Sequence, residues 1–166
     1  IGNALSAAFW FYIASVLEPE QYGEIFYFLG IAGLVAAASL IGTQNTIVVY
    51  TAKKIDIHST LYFLSLIFGV ISSIVIIFLF YRVDVVVLLF GYIINTLAIG
   101  ELLGRRKYKS YSKHILIQKG LTLALGIGFY SIFGPEGIIY ALALTYVHFS
   151  FIIIKSFNGI RTGFRL

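Results

Sequence analysis

The chain has 166 residues, of which 60% are hydrophobic and 11% charged, and its mean hydropathy is +0.96. Soluble domains carry about a quarter charged residues, so this composition excludes an ordinary water-soluble core, which would leave its apolar surplus uncovered. The net charge of +5 sits in short basic clusters between apolar runs, a pattern that fits membrane topology and excludes a nucleic-acid-binding face.

Six apolar segments follow one another at 1–17, 24–50, 59–81, 83–104, 114–133 and 137–157. Each approaches or exceeds the roughly 20 residues that carry a helix across a bilayer. The runs are continuous, without the alternation of a barrel strand, so they predict helices. The expected fold class is therefore an all-α membrane protein, a single bundle of six transmembrane helices over residues 1–166. The opening at Ile1, straight into an apolar run, adds the expectation of further residues upstream. The first two spans are joined by Leu17-Glu18-Pro19-Glu20-Gln21-Tyr22-Gly23, where proline removes a backbone donor and glycine permits a turn. Tyr81-Arg82-Val83-Asp84 separates the third and fourth spans, and Gly134-Pro135-Glu136-Gly137 the fifth and sixth.

Basic residues set the expected orientation. Lys53, Lys54, Arg105, Arg106, Lys107, Lys109, Lys113, Lys155, Arg161 and Arg165 fall in the even loops and the tail, whereas the odd loops hold only Arg82. The positive-inside rule places both termini in the cytoplasm of a multi-pass cell (cytoplasmic) membrane protein. Small residues at four-residue spacing predict close helix packing: Gly33 and Ala37, then Ser65, Gly69 and Ser73, then Gly120, Ala124 and Gly128.

Polar side chains inside spans are costly and mark candidate sites. Asn95 lies mid-span with Tyr92 and Thr96 on its face; His148 is central in the sixth span, a turn from Thr145; Gln118 and Lys119 enter the fifth. Gln44 and Asn45 interrupt the second span, and Asn3 belongs to the first. Each has an ordinary alternative. Asn95 and His148 serve equally as helix-contact residues, and Lys119 reaches the headgroups or pairs with Glu101. Glu24 and Glu101 are expected to be solvated at span ends. No cysteine is present, which excludes thiolate chemistry and cysteine metal sites. His58, His114 and His148 are scattered, no soluble-enzyme motif is found, and no metal, cofactor or catalytic residue is expected.

The hinge at 17–23, the run Leu40-Ile41-Gly42-Thr43-Gln44-Asn45, the basic connection Gly104-Arg105-Arg106-Lys107-Tyr108-Lys109-Ser110-Tyr111 and the turn Phe133-Gly134-Pro135-Glu136-Gly137 occur in an order that resembles the polysaccharide biosynthesis flippases. These belong to the multidrug/oligosaccharidyl-lipid/polysaccharide exporter superfamily. The resemblance implies half of a 12–14-helix exporter, the N-terminal half or a half-size homologue pairing with a second copy. It implies translocation of polyprenyl-linked oligosaccharide by alternating access, without ATP. In that picture Lys119 and His148 meet the phosphate or sugar, and Asn95 and Tyr92 hydrogen-bond the glycan, with Gln44 and Asn45 also at the substrate. Arg105, Arg106, Lys107, Lys109 and Lys113 attract anionic headgroups of the membrane lipids. The family often places arginines deep in its cavity, whereas no span here has an internal arginine. Two alternatives accompany this reading. One is a cation-coupled multidrug exporter, disfavoured because no buried carboxylate is evident; the other is a non-transporting scaffold or accessory subunit of a glycan-synthesis complex.

Overall fold

The computed structural model describes residues 2–53, 55 and 58–161. Lys54 and Arg165 lie outside the described residues, as do the side chains of His58, Lys155 and Arg161. Every regular element among them is a helix: α1 (Gly2–Val16), α2 (Pro19–Leu40), α3 (Thr43–Ala52), α4 (His58–Phe80), α5 (Val83–Gly104), α6 (Tyr108–Phe133), α7 (Pro135–Thr145) and α8 (Val147–Arg161). Five stretches are long and apolar enough to cross a membrane: Pro19–Leu40, Thr60–Phe80, Val83–Gly104, Tyr108–Phe133 and Pro135–Ile154. The 15 residues of α1 fall below the length that a span needs.

Two expected spans are broken. The segment expected at 24–50 stops at Leu40 and restarts at Thr43, because Ile41 and Gly42 both adopt left-handed backbone, with φ of 42° and 73°. Glycine takes that conformation freely; a β-branched isoleucine does so only under strain. The segment expected at 137–157 breaks at Tyr146, where α7 gives way to α8. Boundaries also move. Pro19 occupies the first turn of α2, where its missing N–H costs nothing, so the hinge shortens to Leu17 and Glu18. The Glu18 backbone N–H donates to Gln21 Oε1 at 3.4 Å. The basic connection likewise shrinks to Arg105-Arg106-Lys107, and Lys109 and Lys113 belong to α6.

The bundle is organised around α5, which packs against α2, α3, α4, α6, α7 and α8. Its Leu88, Leu89, Ile93 and Leu97 are sealed, together with Ile138 and Ile139 of α7. Lipid tails are as apolar as leucine, so helices in a bilayer associate through close packing and hydrogen bonds. Gly100 and Gly104 let α3 approach α5: a Cβ on Gly100 would sit 3.2 Å from the Gln44 carbonyl oxygen, and one on Gly104 would sit 2.6 Å from Thr51 Cβ. The α4 stripe packs as expected. Ser65 donates to Thr43 Oγ1 at 3.3 Å, and a Cβ at Gly69 would press on Ile93 and Phe90.

The α6 stripe does not. Gly120 and Gly128 have open space around them and Ala124 is exposed. The buried line is Gln118, Thr122 and Gly126, on the other side of the helix, where Gly126 lies directly under the Phe9 ring of α1. The helix carries small residues on two faces, and partner geometry selects between them.

Arg105–Lys107 and Lys53 share one end of the bundle, since Thr51 near the end of α3 touches Gly104 near the end of α5. At the opposite end Arg82 bridges α2 and α5 through Glu24 and Asp84.

Candidate functional site

The break between α2 and α3 opens a pocket of about 380 Å³ lined by Gly33, Ala36, Ala37, Leu40, Gly42, Gln44, Asn45, Tyr92 and Thr96. Its construction follows from the backbone. Two successive left-handed residues end the α2 hydrogen-bond ladder, and the Gly42 carbonyl accepts instead from the Thr46 N–H at 3.2 Å and the Thr46 hydroxyl at 3.3 Å. Irregular backbone at membrane depth is tolerated where it is buried in protein or lines a cavity. The start of α3 then delivers two amides, Gln44 and Asn45, to the edge of that cavity. From α5, Tyr92 and Thr96 supply the facing wall one turn apart. Gly33 of α2 faces this wall: a Cβ there would stand in ordinary contact with the Tyr92 ring, at 3.8 Å. The lining carries no charge, and its amide and hydroxyl donors and acceptors stand among a larger aliphatic and aromatic surface. That chemistry suits a neutral, hydroxyl-rich ligand better than a phosphate.

Of the residues singled out from the sequence, Gln44, Asn45 and Tyr92 come together here, with Thr96. Asn95 does not line the pocket; its Oδ1 is buried without a hydrogen-bond partner. Lys119 lies elsewhere, its aliphatic stem against Gly2 of α1. Arg105, Arg106, Lys107, Lys109 and Lys113 are exposed at the basic end, and Asn3 is exposed on α1.

His148 belongs to a second polar group. The histidines that look scattered in sequence are partly assembled: His114 of α6 and His148 of α8 stack with centroids 5.5 Å apart, and Phe149 covers both rings. Tyr92 connects the groups, its ring meeting Tyr146 edge to face at 5.4 Å, and Tyr146 takes a hydrogen bond from the Gln118 side chain. A seam of polar and aromatic side chains thus leads from the pocket to the α7–α8 break.

Glu101 contradicts its expectation of solvation. It is 3% exposed, accepts from the Tyr62 hydroxyl at 2.7 Å, and pairs with Arg105 at 2.9 Å. Its partners are therefore Tyr62 and Arg105, in place of Lys119. Asp84 is also buried, at 4% exposure, so the chain does hold buried carboxylates. The Arg105 partner was legible in sequence as an i, i+4 pair; the Tyr62 hydroxyl, from α4, was not. Glu24 is half exposed and paired with Arg82.

Comparison of the chain with protein-family models, with curated proteins and with solved structures finds no match.

Proposed function

We propose that this chain is the ligand-binding helix bundle of a membrane flippase that moves a polyprenyl-linked oligosaccharide, with the sugar seated in the pocket at the α2–α3 break. The observation that supports this is the pocket itself: an uncharged polar lining of Gln44, Asn45, Tyr92 and Thr96 inside a bundle that is otherwise strongly apolar. The hydroxyl-rich glycan would exchange hydrogen bonds with the two amides, and the Tyr92 ring offers a face for a sugar ring. In this reading the basic end faces the cytoplasm and a second bundle closes the cavity. Arg105, Arg106, Lys107, Lys109 and Lys113 then meet anionic headgroups and the lipid phosphate where the substrate is loaded. A cation-coupled exporter of the same superfamily is the second reading, and buried Glu101 is what favours it, since a desolvated carboxylate is the group such coupling needs.

The protein lacks cysteine, so introduced thiols report water access without background. Asn45→Cys and Thr96→Cys are expected to react with a membrane-impermeant maleimide in vesicles, and added lipid-linked oligosaccharide to slow both reactions. Cysteines at Ile71 and Ile74, on the exposed apolar face of α4, are expected to stay unlabelled. Labelling at 45 and 96 that the oligosaccharide leaves unchanged would remove the pocket from the substrate path.

A further inference from the structure

The stacked histidines carry an inference independent of the glycan. In a continuous helix the Thr145 carbonyl would accept from the Phe149 N–H, but at the α7–α8 break that N–H bonds the Tyr146 carbonyl at 3.0 Å. His148 takes the vacated place, with Nδ1 2.7 Å from the Thr145 oxygen. A carbonyl only accepts, so Nδ1 carries the proton, and the neutral ring must present Nε2 as a bare lone pair. That Nε2 is buried and has no hydrogen-bond partner; nor does the buried Nδ1 of His114. Two unsatisfied ring nitrogens therefore sit on neighbouring imidazoles, sealed by Phe149.

We propose that His114 and His148 form a single-proton site, in which one bound proton bridges His114 Nδ1 and His148 Nε2 and ties α6 to α8 across the break. The separation leaves room for it: an N–H···N bond of about 2.9 Å between two five-membered rings places their centroids about 5 Å apart, and the centroids here are 5.5 Å apart. The rings stack with planes 19° apart, so their in-plane lone pairs run side by side and one ring must turn edge-on to the other. Rotation of the His114 ring, with His148 kept on Thr145, is the movement required. One proton satisfies both nitrogens, whereas a second would set two cations side by side in a desolvated place.

On α6 the nearest charge in sequence is Lys113, next to His114. On α5 Tyr92 reaches only Tyr146, while Asp84 and Glu101 are held by Arg82 and by Tyr62 with Arg105. On α7 Glu136 lies at the far end from the break and Tyr140 midway along the helix, and Lys155 follows two turns along α8. Among the described residues no group of three or more metal-ligating side chains forms.

The test is a titration of ¹⁵N-histidine-labelled protein in lipid nanodiscs, followed by NMR from about pH 4.5 to 8.5 around the ordinary imidazole range. The His58 signal is assigned with His58→Gln. His114 and His148 are expected to share one midpoint and to take up one proton between them. In His114→Gln the His148 midpoint is expected to move by about one pH unit or more, a tenfold change in proton affinity. Separate midpoints, uptake of two protons, or no titration of either ring would overturn the proposal. The unsubstituted protein decides this even if His114→Gln fails to fold.

Discussion

Replacing Arg82 with alanine is expected to destabilise the bundle by about 3–5 kcal/mol, the cost typical of a buried charge that loses its partner. Arg82 holds Asp84 with two parallel contacts, Nε to Oδ1 at 3.0 Å and Nη2 to Oδ2 at 2.8 Å. Its Nη1 reaches Glu24 of α2 at 2.9 Å, and the guanidinium lies 4.6 Å above the Phe28 ring. Asp84 is buried and Glu24 is not, so the damage comes from the Asp84 carboxylate left without a cation. Arg82→Lys is expected to restore little, because an ammonium cannot reproduce the planar fork or the ring contact. Adding Asp84→Asn to the alanine variant is expected to recover most of the loss. Denaturant unfolding in micelles measures all three variants, and an Arg82→Ala protein within about 1 kcal/mol of the parent would deny the clasp its role. Donation to the Asp84 carboxylate holds the Arg82 pKa above its ordinary value, against the opposing effect of burial. A raised basic group stabilises fully below its unfolded pKa and loses that contribution only as pH rises through the folded one. The arginine's contribution is thus constant from about pH 5 to 9.

The second large effect is expected at the α1–α6 contact. Gly126→Val places a branched side chain where the fully buried Phe9 ring already lies, so α1 must shift or Phe9 must leave its rotamer. Overpacking of this kind costs about 1–3 kcal/mol. Gly128→Val is the control: the same helix and the same propensity change, but nothing within 4 Å of the added atom, and an expected effect within about 0.5 kcal/mol. Equal losses at 126 and 128 would mean that backbone propensity, and not the Phe9 contact, sets the result.

Much of the fold was legible because long apolar runs and chain-breaking residues act locally. The turn at Tyr81 and Arg82, the Gly134-Pro135 start of α7 and the α4 stripe through Ser65 and Gly69 need no knowledge of the other helices. The breaks at Ile41–Gly42 and Tyr146 were hidden, since a lone glycine or tyrosine in an apolar run is ordinary in membrane helices and no proline marks either place. The face of α6 was misassigned because glycines occupy both sides; the amide of Gln118 and the hydroxyl of Thr122, one turn apart and in line with Gly126, were the available clue. The polar part of the candidate pocket was visible in the sequence, namely Gln44, Asn45, Tyr92 and Thr96. What sequence could not supply is distance in space. Residues 114 and 148 become neighbours only through the packing of α6 and α8, and Glu101 becomes buried only once Tyr62 of α4 closes over it.

The central claim, that the pocket at the α2–α3 break seats a lipid-linked glycan, is tested most directly by translocation in proteoliposomes. Fluorescent polyprenyl-linked oligosaccharide is supplied over a range of concentrations, and its arrival in the opposite leaflet is timed for the parent protein and for Gln44→Leu/Asn45→Leu. Loss of two hydrogen-bonding side chains at about 1 kcal/mol each should raise the half-saturating concentration roughly 30-fold, with helical content unchanged. Translocation by the double variant at the parental rate, at every concentration, would contradict the account.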